Sequence, residues 1–194
     1  MNVEQAKSYI TGELRASLDT TLYYHGFHHT LDVTNAALRL AEAEHIRERE
    51  ALQLLETAAL FHDSGFLNTY NGHEQEGCRI VSQVLPDFEF SEKQIAVICG
   101  MIMATKIPQA PQTLLEKIIC DADLDYLGRD DFEQVAATLF EELKIRGMVT
   151  DISTWNQIQV RFLETHQYWT SSAQSWRDAA KQAHLKSLKA TVLR

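Results

Sequence analysis

The sequence predicts an all-α protein, one bundle of about eight to nine helices over residues 1–194, and three observations carry that prediction. Glycine and proline are scarce, at 8 and 3 of 194 residues, which leaves little turn chemistry for many short strands. Apolar residues recur at spacings of three and four along nearly the whole chain, the period of a helix with one buried face. No convincing strand pattern interrupts them. A chain of this length buries one good core and does not require two.

Taken in order, residues near 2–17 carry Val3, Ala6, Ile10 and Leu14 on one stripe. His29, Val33, Ala36, Ala37 and Leu40 form the next, with Arg39, Glu42 and Glu44 opposite. A third helix is expected near 48–63, followed by the polar break Asn68-Thr69-Tyr70-Asn71-Gly72. A fourth runs from about His73 to Leu85 and ends before Pro86. Ser91 reads as an N-cap with Gln94 three residues on, opening a helix through Met103. Pro108 and Pro111 punctuate a loop before Leu114–Leu127. Asp130 starts a helix through Leu143, Asp151 or Ser153 caps one through about His166, and Ser171 or Ser172 opens a Lys-rich terminal helix whose cations suit its C-terminus.

Composition limits the partners. A net charge of −9 argues against a nucleic-acid polymer, whose backbone needs clustered Lys and Arg. A small phosphate bridged by a metal is compatible, because the ion supplies the local positive charge. Cys78, Cys99 and Cys120 are odd in number, without a CxxC, and sit among apolar neighbours; three buried, reduced thiols are expected. The start, Met1-Asn2-Val3-Glu4-Gln5, has neither a cationic nor an apolar leader segment, and no apolar run approaches the ~18 residues that span a bilayer. The sequence therefore predicts a cytoplasmic protein with no membrane partner.

His62-Asp63 carries the chemistry. His62 extends the apolar stripe of Ala58 and Ala59, where a polar pair costs several kcal/mol unless something satisfies it. His29 lies on the buried stripe of its own helix. Downstream, Cys120-Asp121-Ala122-Asp123-Leu124-Asp125 offers three carboxylates. Asp123 follows Leu115 and Ile119 at i+8 and i+4 and shares their apolar face, while Asp121 follows Lys117 and faces a more polar side. Two imidazoles and two carboxylates suit Mn²⁺, Fe²⁺, Co²⁺, Ni²⁺, Zn²⁺ or Mg²⁺ with open positions for water and substrate. A closed structural zinc site would prefer thiolates. The alternative is that His29 and His62 are hydrogen-bonded core histidines and Asp123 a helix-end residue.

Three segments, Tyr24-His25-Gly26-Phe27-His28-His29-Thr30-Leu31-Asp32-Val33, His62-Asp63-Ser64-Gly65-Phe66 and Asp121-Ala122-Asp123-Leu124-Asp125-Tyr126-Leu127-Gly128, resemble the motifs of the HD-domain metal-dependent phosphohydrolase superfamily. The resemblance covers roughly residues 20–130, with the helices of 130–194 expected to pack on that core. It implies an HD-type helical domain in which His29, His62, Asp63 and Asp123 bind a divalent metal. It also implies hydrolysis of a small phosphorylated substrate, with a nucleotide as the leading candidate. A cyclic or signalling nucleotide phosphodiesterase, and an idle metal- or nucleotide-binding regulatory module, are the alternatives.

His73-Glu74-Gln75-Glu76-Gly77 resembles an additional motif of family members with more than one metal, but the next helix ends Met101-Ile102-Met103-Ala104-Thr105-Lys106 without the histidines a second site would draw on. His73 then either contacts substrate or an activated water, or caps its helix. Lys106 either meets a substrate phosphate as a point charge or complements its own helix C-terminus. Arg129 and Arg146 are weaker candidates of the same kind. Asp63, besides ligating, is a candidate to help activate water. Tyr24 and His25 either orient His29 or line the entrance. Phe162, His166, Tyr168, Trp169 and Trp176 read as packing of the C-terminal helices, whose apolar face fits either a homodimer or intrachain contacts.

Overall fold

Small side chains at the centre decide how closely the helices approach. The computed structural model describes residues 1–192, and these form nine α-helices and no strand. Helix α2 (Phe27–Ala43) buries Ala36, Ala37 and Ala41, and α3 (Arg49–Phe61) buries Ala58 and Ala59, so the two backbones pack side by side. Leu40, Leu55, Leu60 and Phe61 fill the remaining space with essentially no exposure. Helix α1 (Val3–Ser17) lays Val3, Ala6, Ile10 and Leu14 against α3, the stripe expected from their spacing.

Helix α4 (His73–Val84) packs on α5 (Glu92–Thr105), which lies against both α3 and α6 (Leu114–Asp123). The Ser91–Gln94 capping box is formed in both directions, and Thr113 with Glu116 makes a second one at the start of α6. Helices α7 (Phe132–Ile145), α8 (Ile152–Thr165) and α9 (Ser171–Val192) complete the chain, and of the two caps considered for α8 it is Asp151 that accepts the Thr154 N–H, at 2.8 Å.

Several boundaries differ from the sequence expectation. The helix expected over 48–63 stops at Phe61, and a 3-10 turn, Ser64–Leu67, redirects the chain at the His-Asp pair. Pro86 does not simply end α4 but sits in a 3-10 turn, Leu85–Phe88, which needs no N–H from it. The expected helix 114–127 splits: α6 ends at Asp123 and Asp125–Gly128 is a 3-10 turn. The turn packs tightly on α9, and a Cβ on Gly128 would lie 2.4 Å from the Arg177 carbonyl oxygen.

Two readings of side-chain facing are corrected. Asp121 is fully buried rather than on a polar side; its carboxylate accepts N–H bonds from Trp169 and Thr170 and the Thr170 hydroxyl at 2.7–2.8 Å, tying α6 to the entry of α9. Burial pushes its pKa up to about 6 despite those donors. Only Cys120 is buried; Cys78 and Cys99 are half-buried neighbours between α4 and α5, all three thiols being free. Trp155, Leu163, Tyr168, Ala173 and Leu185 use the inner faces of the C-terminal helices within the chain. No helix of the described residues is long and apolar enough to cross a membrane.

Candidate metal centre

Three helix ends deliver the site. His29 is in the first turn of α2, its backbone N–H on the Gly26 carbonyl at 2.9 Å. His62 and Asp63 leave the C-terminus of α3, and Asp123 closes α6. The ligating atoms of His29, His62 and Asp123 all lie within 4.8 Å of one another. His29 Nε2 is 3.1 Å from Asp123 Oδ1 and 3.5 Å from Asp63 Oδ2; His62 Nε2 is 3.2 Å from Asp63 Oδ2 and 3.6 Å from Asp123 Oδ1.

The donor set fits a cation on an observation independent of motif. His62 Nδ1 donates to the Ala59 carbonyl at 2.8 Å, which leaves Nε2 as the lone-pair nitrogen facing the cluster. That nitrogen and Asp63 Oδ2 are buried and without a hydrogen-bond partner. Two buried acceptors face to face are costly, and a shared positive charge between them removes the cost. The electrostatics agree. Burial alone would lower the His62 pKa, yet the Asp63 and Asp123 carboxylates raise it well above the ordinary imidazole value. Burial alone would raise the carboxyls, yet the imidazoles hold both Asp63 and Asp123 well below the usual carboxylate range.

His73, at the N-terminus of α4, reaches the same cluster. Its Nε2 is 3.5 Å from Asp63 Oδ1 and 3.7 Å from Glu74 Oε1, and its ring stacks on Phe66 at 4.0 Å. The approach depends on Gly65, where a Cβ would lie 1.9 Å from the His73 carbonyl oxygen. The Tyr24 ring packs tilted against His29 with centroids 4.5 Å apart, and His25 packs tilted against Phe66.

Lys106 is not brought to this cluster: it is the exposed C-cap of α5 and lines a separate cleft with Met103, Pro108 and Glu116. Arg129 is engaged by Asp32 and Asp131, and Arg146 lies over the Tyr70 ring at 4.4 Å and donates to Thr21.

The sequence reading missed Glu142. Fully buried on α7, its carboxylate accepts the N–H groups of Tyr24 and His25 and the Tyr70 hydroxyl, at 2.9–3.1 Å, besides bonding the His25 ring. The signal was present, since Glu142 follows Val135 at i+7 and Leu139 at i+3 on the helix's apolar side. A cavity of about 250 Å³ opens from the cluster, with Asp63, Asp123, His25 and His73 in its wall.

Comparison with known proteins bears on the family and the fold. The family model described as HD domain matches residues 26–125. A predicted HD superfamily hydrolase from an uncultured Thermotogales bacterium has a similar structure, with a TM-score of 0.63 and 21% identity over 98% of this chain and 91% of that one. Bacillus subtilis YpgQ, solved in complex with ADP, is similar at a TM-score of 0.64 and 16% identity, over 98% and 96%. No curated protein matches the sequence.

Proposed function

Because the chain belongs to the HD-domain family, its matched segment spanning just over half of the sequence, we propose that it is a metal-dependent phosphohydrolase acting on a small phosphorylated substrate. In this reading His29, His62, Asp63 and Asp123 hold one divalent cation. The carrying observation is the buried, unpartnered pair His62 Nε2 and Asp63 Oδ2, in a cluster whose other members are His29 and Asp123. When bound, such an ion polarises a phosphoryl oxygen and makes a water acidic enough to ionise near neutral pH. The Ala59 carbonyl orients His62 through its Nδ1–H, and the Tyr24 ring holds His29 in place. His73, with Nε2 facing Asp63 and the cavity, is positioned to hold a proton at an oxygen of the substrate or of the attacking water. Lys106 has no part in this reading, since its side chain lines a different cleft.

Nucleotides are the first class to screen, since YpgQ, similar in fold, was solved with ADP. The test is metal content of purified wild type and Asp123→Ala in parallel, followed by a metal-supplemented screen of phosphomonoesters and phosphodiesters. About one metal per chain, lost in the variant, together with phosphate release by the wild type supports the proposal. An active, metal-free Asp63→Ala variant overturns it. Metal and nucleotide binding without phosphate release moves the reading to a regulatory module.

A further inference from the structure

The cavity beside the metal cluster has two kinds of lining. Asp63, Glu74 and Asp123 line it with carboxylates beside His73, and Leu127, Leu139, Leu143, Trp155, Ile158 and Phe162 line it with apolar surface that forms a chamber. Among the described residues that line it there is no Lys or Arg. The nearby guanidinium of Arg129 is spent on Asp32 and Asp131. Five of the six chamber residues come from α7 and α8, beyond the matched family segment of residues 26–125.

Charge and surface then restrict what fits. A divalent cation is already balanced by Asp63 and Asp123, and Glu74 adds a further negative charge to the wall. Each phosphate beyond the one at the cation would lie without a counter-charge from the lining. Sugar hydroxyls against the leucine, isoleucine and aromatic surface would lose water without gaining partners from it. Alkyl or aryl surface, by contrast, gains from the transfer.

We propose that the chamber receives the organic part of a phosphomonoester with a single phosphoryl group and an alkyl or aryl body. The inference rests on the phosphohydrolase reading and narrows its substrate away from nucleoside di- and triphosphates. The reaction balances as a hydrolysis: water forms a new P–O bond, the ester P–O bond breaks, and a proton from that water ends on the departing alcohol, giving the alcohol and inorganic phosphate.

The test separates the chamber from the chemistry. Calorimetric titration of Mn²⁺-loaded protein with n-alkylphosphonates from ethyl to hexyl is expected to show about fourfold tighter binding per methylene, until the chamber fills. Ile158→Glu, on an exposed position of α8, and Leu143→Asn should each abolish that gain per carbon while circular dichroism and Tm report an intact fold. Phosphate release from hexyl and phenyl phosphate is compared in parallel with glucose 6-phosphate, AMP and ADP. Length-dependent binding without phosphate release keeps the chamber and defeats the hydrolase reading. Turnover that favours AMP, ADP or the sugar phosphate by tenfold or more overturns the chamber and leaves the hydrolase reading standing. Affinity flat with chain length, or unchanged in both variants, also overturns the chamber.

Discussion

Glu142 Oε1 lies 2.5 Å from Nδ1 of His25, joining a helix beyond the HD-matched segment to the turn that presents His29. The other carboxylate oxygen takes the N–H groups of Tyr24 and His25 at 2.9 and 3.1 Å, so one buried acid holds the entry of α2. Breaking a buried pair of this kind leaves an uncompensated group. Glu142→Ala is expected to cost roughly 3 kcal/mol by denaturant unfolding and to weaken metal binding about tenfold. Unchanged metal affinity in a folded variant would show that the turn holds His29 without help.

The same acid sets a pH dependence. Burial would raise the Glu142 pKa, but the His25 ring and the two backbone N–H groups pull it down, from 4.5 to about 2. A group whose pKa is lower in the folded state stabilises fully above its unfolded value. That contribution is lost as pH falls from about 4.5 towards 2. Unfolding curves across this window should therefore be steeper for the wild type than for Glu142→Gln. Parallel curves would remove Glu142 from the account of acid sensitivity.

The three cysteines should react in a definite order. The Cys78 thiol beside Cys99 lowers the Cys99 pKa to about 7, whereas burial pushes that of Cys120 up, with its Sγ against the Ala104 carbonyl oxygen at 3.0 Å. Iodoacetamide at pH 7.5, read by peptide mapping, is expected to modify Cys99 first and Cys120 only on unfolding. Early labelling of Cys120 would contradict the packing of α5 on α6.

Gly65 and Gly12 make a matched pair. A Cβ at Gly65 meets the His73 backbone at 1.9 Å, so Gly65→Ala must push α4 away from Asp63. A loss of about 3 kcal/mol and of His73-dependent activity is expected. Nothing lies within 4 Å of a Cβ at Gly12, an exposed position inside α1, and Gly12→Ala should stabilise by roughly 0.5–1 kcal/mol. Equal effects on Tm would refute the close approach.

Helix existence and the inward facing of His29, His62 and Asp123 were legible because all three report through local periodicity. Asp121 was misplaced because its facing is decided by Trp169 and Thr170, some fifty residues away. Glu142 was overlooked for the same reason: one charged residue on an apolar stripe shows its purpose only when the turn it holds is placed against it. The close approach of α9 to Gly128, after the split of α6 from its 3-10 turn, is a contact no window along the sequence contains.

Stability measured against metal separates ligands from bystanders. A cation that binds only the folded chain adds RT ln(1 + [L]/Kd), about 2.7 kcal/mol at a hundredfold excess over Kd. For a chain of 194 residues that is a rise in Tm of roughly 5–11 °C. Wild type with Mn²⁺ should show it, and His62→Ala and Asp123→Ala should not, because each removes an atom of the cluster. Lys106→Ala should keep the full rise, its side chain lying in another cleft. His73→Ala decides between two roles for that imidazole. If it serves the proton and not the cation, the rise persists while phosphate release falls at least tenfold. Loss of the rise in His73→Ala would make it a ligand instead, and the four-residue centre would have to be extended to include α4.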